Sequence, residues 1–141
     1  MKKSTFLAAR AALIACGSSL ILSASAAAAP AAPAAAAAAT EAKALMTQHI
    51  CFTCHTIDGT SKINGADALG PTLKGIYGTT ETVLTDGKER EVKVDDAYLT
   101  KSIREPMADI VKGRLPVMVL PPPALTDAEI GKIVAFIKTL K

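Results

Sequence analysis

The sequence is poor in large aromatic side chains, with no tryptophan, two tyrosines and three phenylalanines among its 141 residues. Aromatic side chains supply much of the buried area in most protein cores. From Thr40 onward the available aromatics are Phe52, Tyr77, Tyr98 and Phe136. A core with so few large side chains would be better filled if a large, flat cofactor were added.

Acidic residues are absent from positions 1–39. The basic residues of this region are Lys2, Lys3 and Arg10. An apolar stretch at 11–22 and a run of small residues follow them, an order that is typical of a secretory signal peptide. The apolar stretch is too short to span a bilayer. We therefore predict a cleaved signal peptide at residues 1–29 and export to the bacterial periplasm.

A second targeting signal overlaps the first. Leu13-Ile14-Ala15-Cys16 resembles a bacterial lipobox, in which the cysteine is lipidated and becomes the N-terminus. Five apolar residues separate Arg10 from Cys16, fewer than the ~7–15 of a usual signal peptide. Lipid anchoring at Cys16 is therefore the minor alternative, and only this alternative would place the protein on a membrane.

Residues 30–39 are almost entirely alanine with two prolines, and we predict a linker there. Residues 40–141 have an ordinary globular composition and a length that suits one domain. Apart from the three N-terminal basic residues, 13 basic side chains balance 13 acidic ones. This mixed surface gives no support for nucleic-acid binding, and we expect a monomer.

Residue patterning predicts a mainly α-helical domain with loops through much of its middle. Thr40 is a suitable N-cap for a first helix that runs to about Ile50. Loops with short helical turns are expected at 51–78. Asp86-Gly87 lies between two apolar runs and predicts a small β-hairpin.

Asp95 or Asp96 is suited to cap a second helix that runs through Arg104. A short helical turn is expected at 108–112. The last helix has the clearest signals, a capping box followed by apolar residues at helical spacing. These residues are Thr126, Glu129, Ile130, Ile133, Val134, Ile137 and Leu140.

The most distinctive motif is Cys51-Phe52-Thr53-Cys54-His55. Two thiols at this spacing can each add to one of the two vinyl groups of a haem, and the next residue then presents an imidazole to the iron. This C-x-x-C-H pattern is a signal for c-type haem attachment. We predict one haem c, bound covalently through Cys51 and Cys54, with His55 as the proximal iron ligand.

Other uses of these residues are less consistent with the sequence. A zinc site needs four ligands, and beyond the motif only His49 remains in the mature chain. A thioredoxin-like pair expects a helix to start at the motif, whereas here a helix is predicted to end there. A structural disulfide would leave His55 without a role.

A haem-ligating His55 needs an acceptor for its second ring nitrogen. Gly70-Pro71 is the candidate, because Pro71 offers a carbonyl on a rigid backbone and Gly70 lets the backbone approach. The alternative interpretation of Gly70-Pro71 is a plain loop turn.

The sixth iron ligand must come from a distant part of the chain. Met118 is preferred, because it lies in the apolar, proline-stiffened segment 115–123. Met46 and Met107 are less suitable, and His49 is expected to face the surface or the propionates. Core packing is the alternative role for any of these methionines. An iron with both axial positions filled by protein moves electrons without binding substrate, so we expect a carrier and no enzyme.

From about Ala42 to Leu140 the sequence resembles class I cytochromes c. More narrowly, it resembles the cytochrome c domains fused to subunit II of some bacterial haem–copper oxidases, and their free-standing relatives. The matching segments are 51–55, 69–78, 86–87, 96–106, 110–113 and Met118. In two departures, Val119-Leu120 follow Met118 where the family commonly has proline, and Ala42 stands where it prefers glycine.

The resemblance implies a class I cytochrome c fold, with N- and C-terminal helices that cross, Ala42 meeting Phe136, over a covalently bound haem. It also implies Pro71 as the carbonyl acceptor of His55 and Met118 as the distal iron ligand. The expected function is transfer of single electrons between respiratory or dehydrogenase partners, such as a donor dehydrogenase or reductase and an acceptor oxidase. The alternatives are a haem subunit tightly bound to a periplasmic dehydrogenase, or a gas-binding or peroxidatic haem protein.

Overall fold

The computed structural model describes residues 32–141. In chain order its elements are α1 (Ala32–Gln48), a 3₁₀ turn (Cys51–Thr53), β1 (Lys62–Ile63), β2 (Ala66–Asp67), β3 (Thr80–Thr85), β4 (Lys88–Lys93), α2 (Asp96–Arg104), β5 (Ile110–Val111) and α3 (Asp127–Ile137). The predicted signal peptide and Cys16 lie outside the described residues. Within residues 32–141, no helix is long and apolar enough to cross a membrane.

Helix α1 begins at Ala32, so the prediction that Thr40 caps it is wrong. Alanine has the highest helix propensity, and the alanines of the predicted linker extend the helix toward the N-terminus. Pro33 is tolerated because it lies in the first turn, where a missing N–H costs no helical hydrogen bond. Thr40 lies inside the helix, and its Oγ1 donates a hydrogen bond to the Ala36 carbonyl at 3.0 Å. Ala39 packs against the core, so the helix is anchored before Thr40.

Helices α1 and α3 pack against each other and build the main core. Ala42 and Met46 of α1 are at most 1% exposed and share this core with Phe136 of α3. Burial of a large apolar side chain contributes about 1.5–3 kcal/mol. The Nζ atom of Lys43 lies 5.6 Å from the centre of the Phe136 ring. Ala42 and Phe136 thus belong to one cluster of buried residues to which both helices contribute.

Two β-hairpins use the same turn chemistry. Between β3 and β4, Asp86 (φ 50°) and Gly87 (φ 77°) occupy the two central turn positions and confirm the predicted hairpin. Between β1 and β2, Asn64 (φ 50°) and Gly65 (φ 84°) do the same. Positive φ at both positions is the requirement of a type I′ turn, which Asn-Gly and Asp-Gly meet best. The second hairpin lies within the region that was expected to contain only loops and short helical turns.

Residues 110–111 form a strand, β5, where a short helical turn was expected. This strand pairs with β3 in antiparallel register, with Val83 opposite Val111 and Leu84 opposite Ile110. The prediction of a helical turn was wrong. Ile110 and Val111 are β-branched and favour an extended backbone, and here the edge of β3 is available to pair with them. The β3–β4 hairpin thereby becomes a three-stranded sheet in the order β4-β3-β5.

The caps predicted for α2 and α3 are both present. Asp95 caps α2 by accepting a hydrogen bond from the Tyr98 N–H at 2.9 Å. Thr126 and Glu129 form the reciprocal capping box of α3. Helix α3 ends at Ile137, and Leu140 follows in a turn in which its N–H donates to the Ile137 carbonyl at 3.0 Å.

A buried carboxylate joins the sheet to α2. The side chain of Asp109 is 2% exposed and accepts hydrogen bonds from Lys101 Nζ (2.8 Å), Arg90 Nη2 (2.8 Å) and Thr85 Oγ1. These donors come from α2, β4 and β3. The Lys101 ammonium, then the Thr85 hydroxyl and the Arg90 guanidinium, hold the pKa of Asp109 well below its usual range. Asp109 therefore fixes three elements around one charge.

Replacing Asp109 with asparagine is expected to lower the free energy of unfolding at neutral pH by about 2 kcal/mol, because charged hydrogen bonds are lost. Since folding lowers the pKa of this carboxyl, its contribution is complete above the unfolded pKa of about 3.9 and declines as the pH falls below that value. The difference in free energy of unfolding between wild type and variant should therefore decrease by about 1 kcal/mol when the pH is lowered from about 7 to about 3. Guanidinium unfolding of the purified protein at both pH values measures this difference.

Asp67→Asn is the matched control. Like Asp109, Asp67 forms a salt bridge with a lysine, since Lys62 Nζ lies 2.9 Å from its carboxylate. In contrast to Asp109, the side chain of Asp67 is 84% exposed. Exposed pairs contribute little, so this variant should unfold like the wild type at both pH values. Equal effects of the two substitutions would contradict the role assigned to Asp109.

Candidate functional site

The C-x-x-C-H motif begins where α1 ends. Ile50 adopts a left-handed backbone conformation (φ 52°, ψ 22°), which is rare for a β-branched residue and costs about 1–2 kcal/mol. The chain then enters the 3₁₀ turn, and the Cys51 carbonyl accepts hydrogen bonds from the N–H groups of Cys54 (3.2 Å) and His55 (2.9 Å). This local fold brings Cys51, Cys54 and His55 to the wall of one cavity.

A backbone acceptor holds the His55 ring in one tautomer. Nδ1 of His55 lies 2.8 Å from the carbonyl oxygen of Pro71. A carbonyl can only accept, so Nδ1 donates, and a neutral ring then keeps its lone pair on Nε2. Burial lowers the pKa of His55 most, the Pro71 carbonyl opposes this effect and the charge of Arg114 adds to it. The lowered pKa favours the neutral imidazole, which is the form that binds metal ions.

The loop that carries Pro71 is fixed by backbone hydrogen bonds to the motif. The N–H of Gly70 donates to the Cys54 carbonyl at 2.9 Å, and the N–H of Leu73 donates to the Thr56 carbonyl at 2.7 Å. The backbone of Gly70 lies against the His55 ring, since a Cβ at this position would be 2.4 Å from Cε1 of the ring. Only glycine lets the loop come this close.

The cavity has an empty volume of about 1220 Å³, including its opening to solvent. Its wall is mostly apolar, and all three helices of residues 32–141 contribute to it. The helical apolar residues of the wall are Met46, Leu99, Ile103, Ile133 and Ile137. An apolar cavity with a few polar groups is the usual form of a cofactor site.

Met118 lines the same cavity as the two cysteines and His55, and it is partly buried. Nη1 of Arg114 donates a hydrogen bond to the Ala68 carbonyl at 2.9 Å, which joins the start of the Met118 segment to the loop that carries Pro71. Met46 also lines the cavity but is 1% exposed and belongs to the core. Met107 is 57% exposed and is not part of the cavity wall.

The two cysteines do not resemble a redox-active dithiol. Both are partly buried, and neither forms a disulfide within the described residues. Burial raises the pKa of the Cys51 thiol, whereas a nucleophilic cysteine of that class has a lowered pKa at the start of a helix. Within residues 32–141, no group of three His, Cys, Asp or Glu side chains is arranged to hold a metal ion.

His49 differs from its expected position. It was expected to face the surface or the propionates, but it is 3% exposed and is not part of the cavity wall. It directly follows α1, and its N–H donates to the Leu45 carbonyl at 2.9 Å, so the helical hydrogen bonding continues to this point. The helix end thus turns His49 into the protein and away from solvent.

Apart from the C-x-x-C-H motif, the polar part of the cavity wall was not predicted. It consists of Glu81, Tyr98, Ser102, Asp109 and Arg114. Oγ of Ser102 is buried and has no hydrogen-bond partner among the described residues. Tyr98 and Ser102 are one helical turn apart on α2, and each directly precedes an apolar residue of the wall, Leu99 or Ile103. This spacing is the sequence signal that could have indicated their position in the wall. Nothing in the sequence indicated Arg114.

The residues present fit a haem c. The cavity offers an apolar wall for a flat macrocycle, two thiols and a neutral imidazole on one short turn, and a thioether from another segment. The buried hydroxyl of Ser102 lacks a hydrogen-bond partner among residues 32–141, and a buried hydroxyl in that state costs about 1–3 kcal/mol. A polar group of a bound cofactor could remove this cost.

The family model for cytochrome c matches residues 39–141. The chain therefore belongs to the cytochrome c family and is a class I c-type cytochrome, whose domain carries covalently bound haem c and transfers electrons. The three helices and small antiparallel sheets of residues 32–141 fit this fold. No curated protein matches the chain.

Gly70→Ala is expected to displace the His55 ring, because the new Cβ would overlap it. Overpacking of this kind costs about 1–3 kcal/mol, so guanidinium unfolding of the holoprotein should show a loss in this range. The control is Gly131→Ala in α3, where a Cβ meets nothing within 4 Å. There alanine should raise the stability of the helix by up to about 1 kcal/mol. If the two variants were equally stable, the close approach of Gly70 to His55 would not exist.

Proposed function

We propose that this protein carries single electrons in the periplasm, using one haem c attached to Cys51 and Cys54. The supporting observation is the 2.8 Å hydrogen bond from His55 Nδ1 to the Pro71 carbonyl. This bond orients the ring at the wall of a cavity that both cysteines and Met118 also line. The proposed partners are a donor dehydrogenase or reductase and an acceptor oxidase.

The residues of the cavity have distinct roles in this proposal. When bound, the haem iron supplies a one-electron couple, and ligation by histidine and methionine raises its potential. His55 would hold the iron through Nε2, while the Pro71 carbonyl fixes the ring and increases its basicity. Met118 would supply the second protein ligand through its thioether. The apolar wall from α1, α2 and α3 excludes water, which further tunes the potential.

With both His55 and Met118 holding the iron, no iron position would remain for a substrate. We therefore propose an electron carrier rather than a catalyst. A gas-binding or peroxidatic protein would need an open iron position, and it is the weaker candidate for this reason.

In the proposed arrangement α1 and α3 cross over the haem, since both helices pack together and both contribute to the cavity wall.

The basic, apolar and small-residue segments at residues 1–29 support export, and covalent attachment of haem to a C-x-x-C-H motif is consistent with a periplasmic location. We further propose that the carrier is a monomer related to the cytochrome c domains of oxidase subunit II. A haem subunit fixed to a dehydrogenase would instead purify in stable association with that enzyme.

Met118→Ala should leave the haem covalently attached but open the sixth position and lower the reduction potential, since the thioether that favours ferrous iron is removed. Potentiometric titration and binding of imidazole to the ferric holoprotein measure both effects. Met107→Ala is the matched control, because Met107 is 57% exposed and lies outside the cavity wall. An unchanged potential in Met118→Ala, together with no imidazole binding, would show that Met118 is not the ligand.

A further inference from the structure

The segment that carries Met118, residues 115–125, has few polar contacts with the rest of the domain. All of its side chains are apolar, so none of them donates a hydrogen bond. Within residues 32–141, the one backbone hydrogen bond of this segment is internal, from the Val117 N–H to the Leu115 carbonyl at 2.9 Å. The 115–125 segment therefore depends on its two ends and on apolar contacts to keep its position.

The two ends of the 115–125 segment are anchored in different ways. At its end, Leu125 packs against the core, and the next residue, Thr126, caps α3. At its start, Arg114 donates its backbone N–H to the Val111 carbonyl of β5 at 2.9 Å. The Arg114 side chain reaches further, and its Nη1 donates to the Ala68 carbonyl, also at 2.9 Å. The start of the segment is thus fastened by one arginine side chain.

The acceptor of this hydrogen bond is held in a fixed position. Ala68 is 5% exposed and directly follows β2, and its own N–H donates to the Ser61 carbonyl at 2.8 Å. Two residues further on, the Gly70 N–H donates to the Cys54 carbonyl at 2.9 Å. The Ala68 carbonyl therefore belongs to the rigid loop that leads to Pro71, and it cannot follow a segment that moves away.

No ion pair accounts for the position of Arg114. Its guanidinium forms no salt bridge within residues 32–141. Two carboxylates, Glu81 and Asp109, also line the cavity, but Asp109 accepts from Lys101 and Arg90. A partly buried hydrogen bond with a charged donor is stronger than a neutral one. The bond to Ala68 is therefore strong enough to decide where the 115–125 segment lies.

We propose that Arg114 is a positioning residue that keeps Met118 at the cavity by fastening the 115–125 segment to the loop of Pro71. This inference rests on the proposed function, in which His55 and Met118 hold the iron. These two ligands belong to the two parts of the chain that the Arg114 bond joins. The bond therefore sets the fraction of molecules in which Met118 has left the iron.

Binding of imidazole to the ferric holoprotein tests this role, because the apparent affinity is proportional to the fraction of molecules with an open iron position. Arg114→Leu removes the donor and keeps an apolar side chain. It should raise the apparent affinity about tenfold, the effect expected for loss of a hydrogen bond with a charged donor. Arg114→Lys keeps a donor on a long stem and should restore the affinity to within about threefold of the wild type.

A double variant separates an effect through Met118 from a direct effect on the bound group. In Met118→Ala the iron position is already open, so adding Arg114→Leu should leave the imidazole affinity unchanged. An equal increase in the presence and absence of Met118 would show that Arg114 acts on the bound group itself, and it would overturn the proposal.

Cleavage by thermolysin gives a second readout on the same holoprotein. This protease cuts before large apolar residues, and its rate follows the population of the opened chain. Arg114→Leu should be cut about tenfold faster within residues 115–120, with the sites mapped by mass spectrometry.

Arg104→Leu is the matched control. Arg104 also bonds a distant residue, Asp127, but it is not part of the cavity wall. It should match the wild type in imidazole affinity and in cleavage within 115–120. Equal effects of Arg104→Leu and Arg114→Leu would indicate general loosening of the domain and would overturn the role of Arg114.

Failure of this proposal and failure of the proposed site give different results. If Arg114 does not fasten the segment, Arg114→Leu changes neither cleavage nor imidazole affinity, whereas Met118→Ala still opens the iron. If Met118 is not the ligand, Arg114→Leu still accelerates cleavage, but neither Arg114→Leu nor Met118→Ala changes the imidazole affinity. The second result would overturn the link to ligation together with the proposed site.

Discussion

The hydrogen bond between His55 Nδ1 and the Pro71 carbonyl is the interaction on which the site depends. The two residues are 16 positions apart, and the bond exists because the backbone of 70–73 returns to the motif. That return needs the N–H groups of Gly70 and Leu73 as donors and the absence of a side chain at Gly70. The protein thereby fixes the tautomer and direction of the imidazole, and this preorganisation favours metal ligation.

The rest of the structure keeps this arrangement in place around a large apolar cavity. Helices α1 and α3 form the core on which the motif rests, and the left-handed residue Ile50 redirects the chain from α1 into the turn of the two cysteines. The Asp109 cluster secures the sheet against α2, and Asp109 itself is part of the cavity wall. The scarcity of aromatic side chains is consistent with a core that is completed by a cofactor.

Patterns carried by a few neighbouring residues were read correctly. Local interactions alone form the Asp86-Gly87 turn, the Asp95 cap and the Thr126–Glu129 capping box. The side chains and backbone groups involved are close in sequence, so the sequence is sufficient to predict them. The start of α1 was misplaced, since Thr40 is a good cap in isolation and the packing of Ala39 that anchors the helix earlier is a tertiary contact.

Features that depend on contacts between distant residues could not be predicted. Strand β5 forms because the edge of β3 lies beside it, and His49 is buried because of where α1 ends. The hydrogen bond of Arg114 to Ala68 spans 46 positions and leaves no trace in either local sequence. Pro71 and Met118 were named from local context and family resemblance, and the structure places both residues at the cavity of His55.

The most direct test of the account is the absorption spectrum of the purified mature protein in its oxidised and reduced states. Ligation by His55 and Met118 predicts a low-spin c-type spectrum, with the weak red band that methionine bound to ferric iron produces. A high-spin spectrum without that band would contradict the proposed site and would indicate an open or replaced sixth position.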